Sequence, residues 1–391
     1  MNAAPNLTPI QAFFDLAKQG ENRWWSWLGG FWFAMVIFIV GQIGITFILF
    51  GFMAVLAPDL MNSVQPSAEQ TDPALAVLML LLGIVGFLAT ALPIALWLMR
   101  GSIKSKGARA VAIGLSALVM IGTSVGLVAA LQMSGGDNSD FGGKLIAAHP
   151  ALYALILLTF PPLALGFWMT VKFVHGRSIL SLHTAAKRFR WKRMFFAMLV
   201  VWAIAGAISF IGHITGISKM AFVFDPSRFW MYLPVTLLLI PLQSATEEIA
   251  LRGYLNQGLG QYIKNPWIVF VITSAAFAAL HLGNPEVLEG TKDTHLLIVM
   301  SGYFFFGFFA CVLTYIDGGL EAAIGMHAAN NIFAASIIGY DNSALPTPTV
   351  FRVGLNTQVD SITTIIALSL VCLIMFVTRK PLELRETSTF D

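Results

Sequence analysis

The stretch Pro241-Leu-Gln-Ser-Ala-Thr-Glu-Glu-Ile-Ala-Leu-Arg-Gly-Tyr-Leu255 ends an apolar run that starts near residue 230 and carries two adjacent carboxylates and a guanidinium. Glu248 and Arg252 are four residues apart with the acid first, the favourable pairing on a helix. Glu247 points about 100° away round the same helix and has no cation within reach along it. An ionisable group inside a membrane-spanning helix costs at least about 2.5–3.5 kcal/mol and marks function by default. A helical reading of 241–255 therefore demands a wet cavity, or partners from other helices, around Glu247.

The rest of the chain supplies the membrane. Of its 391 residues 57% are hydrophobic and 11% charged, and the mean hydropathy is +0.77, whereas soluble domains carry about 25% charged residues. A spanning helix needs about 20 apolar residues. Ten such runs can be read, at about 28–57, 74–99, 108–132, 151–173, 193–216, 230–256, 266–283, 296–316, 319–338 and 360–378. Strand alternation is absent, so a β-barrel is dismissed and the fold class is all-α, a polytopic transmembrane bundle of about ten helices. A polar, Gly-rich linker at 134–143 divides the chain into residues 1–143, a three-helix membrane extension with no assignable role, and residues 144–391, which hold every chemical motif. The net charge of +3 gives no reason to invoke nucleic acid.

The 23 Lys and Arg set the orientation. They cluster at Arg100–Arg109, Arg177–Arg193 and Arg379–Arg385, while the 58–73 loop has none. With ten crossings and the positive-inside rule, both termini fall in the cytoplasm. No cleavable leader is read in the mixed-polar first 27 residues. Residues 10–25 fit an interfacial amphipathic helix closed by Trp24 and Trp25, or an ordinary leader helix. Cys311 and Cys372 sit in apolar runs and read as buried thiols.

Two further apolar helices carry polar groups on one face: Phe277 and His281 at i, i+4 in the seventh run, His327 and Asn331 at i, i+4 in the ninth. A hairpin turning at Lys264-Asn265-Pro266 brings His281 to the depth of Glu247. In order along the chain these are an EExxxR motif (Glu247, Glu248, Arg252), an FxxxH motif (Phe277, His281) and an HxxxN motif (His327, Asn331). The ordered trio resembles the CPBP family of intramembrane proteases, which takes in CAAX proteases, bacteriocin-processing enzymes and the Ras-converting endopeptidase. The resemblance covers about 230–340, and Leu251 departs from the Phe that many members carry before the Arg.

Peptide hydrolysis needs an activated water, an oxyanion cradle and a proton for the leaving amine. Glu247 suits the general base, since burial strengthens a carboxylate as a base. His281 suits a holder of the same water, and His327 and Asn331 suit oxyanion donors. Glu248 and Arg252 suit a supporting pair or a purely structural salt bridge. The resemblance implies the same allocation. Zinc held by Glu247, His281 and His327 is the alternative, but there is no HExxH, and an asparagine suits an oxyanion better than it suits zinc. No cofactor is required on the favoured reading.

The expected function is an intramembrane endopeptidase acting on a membrane-associated or C-terminally lipidated protein, in a bacterial cytoplasmic membrane. The alternative is a non-catalytic scaffold or bacteriocin-immunity-type protein on the same fold; a proton-coupled transporter lacks the inverted repeats it needs. Gly122-Thr-Ser-Val-Gly126 fits GxSxG without the strand-turn-helix setting. Tyr340-Asp341 has no second aspartate motif, and Gly83, Gly86, Gly302 and Gly307 read as packing spots. His149, His175, His183, His213 and His295 are expected to be solvated at segment ends.

Overall fold

A computed structural model describes residues 8–60, 141–340 and 343–384 of the chain. The second and third apolar runs, the 134–140 linker, the GxSxG stretch, Arg100–Arg109 and Asp341 lie outside the described residues.

Helix starts follow local chemistry. Proline stands at the first helical position after a capping residue in α1 (Pro9–Asp15, cap Thr8), α7 (Pro226–Glu248, cap Asp225) and α9 (Pro266–Leu280, cap Asn265). Between them run α2 (Trp24–Leu56), α3 (Phe141–Ala148), α4 (Pro150–Leu158), α5 (Pro161–Met169), α6 (Trp191–Ile214) and α8 (Asn256–Leu259). The chain continues through α10 (Pro285–Asp293), α11 (Leu296–Asp317), α12 (Glu321–Ser336) and α13 (Thr357–Val377). Among the described residues six helical stretches are long and apolar enough to cross a membrane. The seventh and ninth runs form shorter helices, α9 of 15 residues and α12 of 16. Large apolar side chains such as Phe47, Val55, Leu199, Phe210, Leu238, Leu297 and Val377 face outward. That is the pattern of a bundle whose solvent is lipid, and the protein is an integral membrane protein of all-α architecture.

Three short strands depart from the all-helical expectation. β1 (Ala221–Phe222) pairs antiparallel with β3 (Phe351–Val353), and β2 (Ile338–Tyr340) pairs parallel with β3. They tie the loop after α6 to the loop after α12, so those loops share one end of the bundle. At the other end Thr184 bridges to Gly319, Ala186 to Leu384, and the Gly318 backbone lies against Pro9 and Leu382. The Gly318 contacts exist because its left-handed backbone (φ 62°) closes the α11–α12 turn tightly. The described N- and C-terminal segments therefore lie at the same end as the 175–193 loop.

α1 differs from the interfacial reading. Its apolar side, Phe13 and Phe14 included, is buried in the protein, in one hydrophobic cluster with Trp27, Val171, Tyr254, Phe270 and Ile324. The first two helices thus share a core with the motif-bearing part of the chain. Close backbone approach locks this side: a Cβ on Gly166 would meet the Ala34 backbone at 2.7 Å.

Two of the basic residues used for orientation are committed to acids. Arg193 Nε meets Asp317 at 2.8 Å, and Arg190 Nη2 meets the fully buried Glu321 at 2.8 Å. His175 and Arg177 also depart from expectation. After the π-helical turn Thr170–Val174 the chain folds back inward, leaving them 1% and 2% exposed against Trp27. His149 and His295 instead cap helices, accepting from Ala151 N and Leu297 N.

Candidate active site

α7 passes without interruption into a π-helical segment, Ile249–Leu255, directly after Glu247 and Glu248. A π-turn opens the backbone ladder by one residue and recurs at functional sites. Glu248 and Arg252 share one buried side at its start: Arg252 Nη1 donates to Glu248 Oε1 at 3.1 Å, and both side chains are fully buried. Arg252 Nη2 donates to Gly307 O at 2.9 Å, and the guanidinium lies 4.6 Å from the Phe277 ring centre. The absence of a side chain at Gly307 makes this possible, since a Cβ there would stand 3.0 Å from Arg252 Nη2.

His327 reaches across from α12 to both glutamates. Its Nδ1 donates to Glu248 Oε1 at 2.8 Å, and its Nε2 stands 3.8 Å from Glu247 Oε2. Glu247 retains 15% side-chain exposure while His327 retains 3%. The other Glu247 oxygen accepts from Gln243 Nε2, one turn earlier on α7. Gln243 Oε1 in turn accepts from Asn331 Nδ2 at 3.3 Å. Gln243 was not read from the sequence as a site residue, although its i, i+4 relation to Glu247 was there to find.

His281 caps the end of α9, half-buried, with Nδ1 donating to Phe277 O at 2.8 Å. Phe277 links the two imidazoles, its ring centre 4.5 Å from that of His281 and 5.9 Å from that of His327. Phe306 meets His327 edge-on at 5.0 Å. The three motifs are thus brought into one cluster, with Glu247 and His281 at its open side and Glu248 and Arg252 at its floor.

A catalytic zinc site gathers three protein ligands about one point at 2.0–2.3 Å. Among the described residues no group of three or more His, Cys, Asp or Glu side chains is gathered in this way. His327 Nδ1 is committed to Glu248, and His281 Nδ1 to its own helix, which leaves Nε2 as the free ring nitrogen of each.

A cavity of about 300 Å³ adjoins the cluster. Tyr303 and Phe306 stand between it and the two imidazoles, and Glu286, Asn330, Tyr340 and Asp360 line its other sides.

Residues 226–333 match the family described as type II CAAX prenyl endopeptidase Rce1-like, which bears out the resemblance carried by the three motifs. A stretch of 183 residues is 33% identical to the uncharacterized protein YyaK of Bacillus subtilis, covering 46% of this chain and 58% of that protein. The matched stretch is thus under two thirds of the curated relative's length. No solved structure matches the chain.

Proposed function

We propose that this protein is an intramembrane endopeptidase that hydrolyses a peptide bond with a water activated by Glu247 and His281. The observation that carries the reading is the reach of one imidazole, His327, to two consecutive carboxylates from another helix, with Asn331 and Gln243 closing the ring round Glu247. Glu247 Oε1 is occupied by Gln243, which leaves Oε2 to take a proton from water. His281, with its proton fixed on Nδ1, offers the Nε2 lone pair to the same water. Attack on the carbonyl carbon gives a tetrahedral oxyanion. Asn331 keeps one amide hydrogen for it, with the Nε2 edge of His327 beside it. The C–N bond then breaks as the proton held by Glu247 passes to the leaving amine. Glu248 and Arg252 orient His327 and touch no substrate.

The likeness of residues 226–333 to CAAX prenyl endopeptidases favours a membrane-associated or C-terminally lipidated substrate. The host membrane we propose is a bacterial cytoplasmic membrane with both termini inside. Cleavage of a quenched fluorescent peptide ending in a farnesylated CAAX sequence, by the protein in liposomes, tests the reading. Activity is expected to vanish in Glu247→Ala and to survive a strong zinc chelator. Cleavage that persists in Glu247→Ala removes the base, and loss on chelation with recovery on added zinc replaces it with a metal.

A further inference from the structure

His281 can share a water with Glu247 only if its ring is held in place. It stands at the end of α9, half-buried, beyond the last full helical turn, and its ring bonds to protein through Nδ1 to the Phe277 carbonyl. That bond and the tilted Phe277 ring, 4.5 Å away, constrain the imidazole from its own helix alone. A second constraint comes from α11, where the Tyr303 ring stacks on His281 with centres 4.5 Å apart and planes 26° apart.

Tyr303 is itself anchored by its hydroxyl. It donates to Glu286 Oε1 and accepts from Asn284 Nδ2 at 3.1 Å, and Asn284 Nδ2 also donates to Glu286 Oε1 at 3.0 Å. The second oxygen of Glu286 accepts from Ala344 N at 2.8 Å. Glu286 is 7% exposed, and the proposed hydrolysis gives it no task. Asn284 precedes Pro285 at the start of α10, where an asparagine ordinarily caps the helix, yet its side chain makes no cap bond. Its amide is spent on Tyr303 and Glu286 instead. Because Asn284 follows His281 by three residues, with its backbone N–H on the His281 carbonyl at 3.0 Å, the contacts close into a ring: His281, Asn284, Tyr303, His281. Tyr303 also lines the 300 Å³ cavity, so one side of its ring borders open space while its hydroxyl bonds hold the far end.

Resting on the proposed hydrolysis, we infer that Tyr303, held by Glu286 and Asn284, is the positioning residue that fixes the His281 imidazole with Nε2 toward the reacting water. Tyr303→Phe keeps the stacking ring and removes its anchor; Glu286→Gln keeps the shape and removes one acceptor oxygen. The test measures both variants, Tyr303→Leu and Glu247→Ala on the farnesylated peptide in liposomes, with thermal unfolding and ¹⁵N NMR of histidine-labelled protein alongside.

Tyr303→Phe is expected to lower kcat by about 10–100-fold with KM within about twofold of wild type, the size of effect that a loosely held catalytic group produces. Its melting temperature should stay near wild type, and Tyr303→Leu should lose more of kcat. In the NMR spectra the His281 signal should show one Nδ1–H tautomer in wild type and averaging between tautomers in Tyr303→Phe. A wild-type kcat in Tyr303→Phe, with Glu247→Ala inactive, overturns the positioning role and leaves the protease reading intact. Failure of wild type to cleave, or cleavage by Glu247→Ala, counts against the protease reading. The NMR comparison still decides Tyr303, since an unchanged His281 tautomer in Tyr303→Phe overturns its role whatever the activity.

Discussion

Arg252 and Glu248 show what a single pair must do inside a bundle. Both are fully buried, and Glu248 Oε1 takes a hydrogen bond from Arg252 and another from His327. Removing one member of a buried pair leaves an uncompensated charge, at a cost of about 3–5 kcal/mol. Arg252→Leu is therefore expected to lower thermal stability in detergent sharply, and the double change Glu248→Gln/Arg252→Leu to lower it less. A double variant no more stable than the single would show that the charge is not what the arginine satisfies. The pair was legible at i, i+4 in the sequence. Gln243 was not singled out, because a glutamine in an apolar helix carries no charge to flag it, and its use depends on Asn331 arriving from α12.

At the scale of elements, the packing of α11 against the Ile249–Leu255 turn and α9 depends on Gly307. An alanine in place of glycine inside a helix ordinarily adds roughly 0.5–1 kcal/mol of stability. Here a Cβ would stand 3.0 Å from Arg252 Nη2 and 3.2 Å from Ser274 Cα. Gly307→Ala is thus expected to destabilise, by about 1–3 kcal/mol if it behaves as an overpacked core site, and a stabilised variant in a thermal melt would contradict the close packing. The loop after α5 makes a pH prediction. Burial pushes the His175 imidazole down to about 4, against about 6.5 in the unfolded chain. The unfolded state then takes up the proton first, so stability is full above about pH 6.5 and is lost as pH falls toward 4. Thermal unfolding of wild type should weaken between pH 7 and 5 more than that of His175→Gln; parallel curves would rule His175 out. Sequence placed this histidine at a segment end and read it as solvated. Only the inward fold of the chain after the π-turn buries it.

The length of the Pro226–Leu259 stretch lets Glu247, His281 and His327 meet although they lie at different distances along their helices. Counted from the Lys264–Pro266 turn, Glu247 and His281 lie some 15 residues along their helices, whereas His327 is early in α12. The stretch from Pro226 to Leu259 is 34 residues long, about 51 Å at the helical rise, far more than the roughly 30 Å of hydrocarbon. Its excess lies among the loops of the terminal end. Gln257 donates to Phe13 O and Ser181 O, Gln261 to Phe14 O, and Tyr262 to Asn22 O. The turn thus stands beyond the level at which α12 begins, and the motifs meet. The sorting of loops into two ends gives a topology test. Cysteines introduced at Lys187 and Glu289 should react with an impermeant maleimide from opposite faces of a sealed vesicle, and Cys311 and Cys372, both buried, should stay silent. Labelling of both positions from one face would break the proposed topology.

The membrane, the helical class and the three motifs were decided by the sequence alone, because each depends on a run or a spacing along one helix: hydropathy over about 20 residues, or polar groups one turn apart. What the tertiary structure alone decided is which atoms face each other. His327 reaches both glutamates, α1 turns its apolar side into the protein, and Tyr303 stacks on His281, through contacts between residues tens to hundreds of positions apart. Such contacts follow from packing angles and helix overshoot, which no local pattern of residues records.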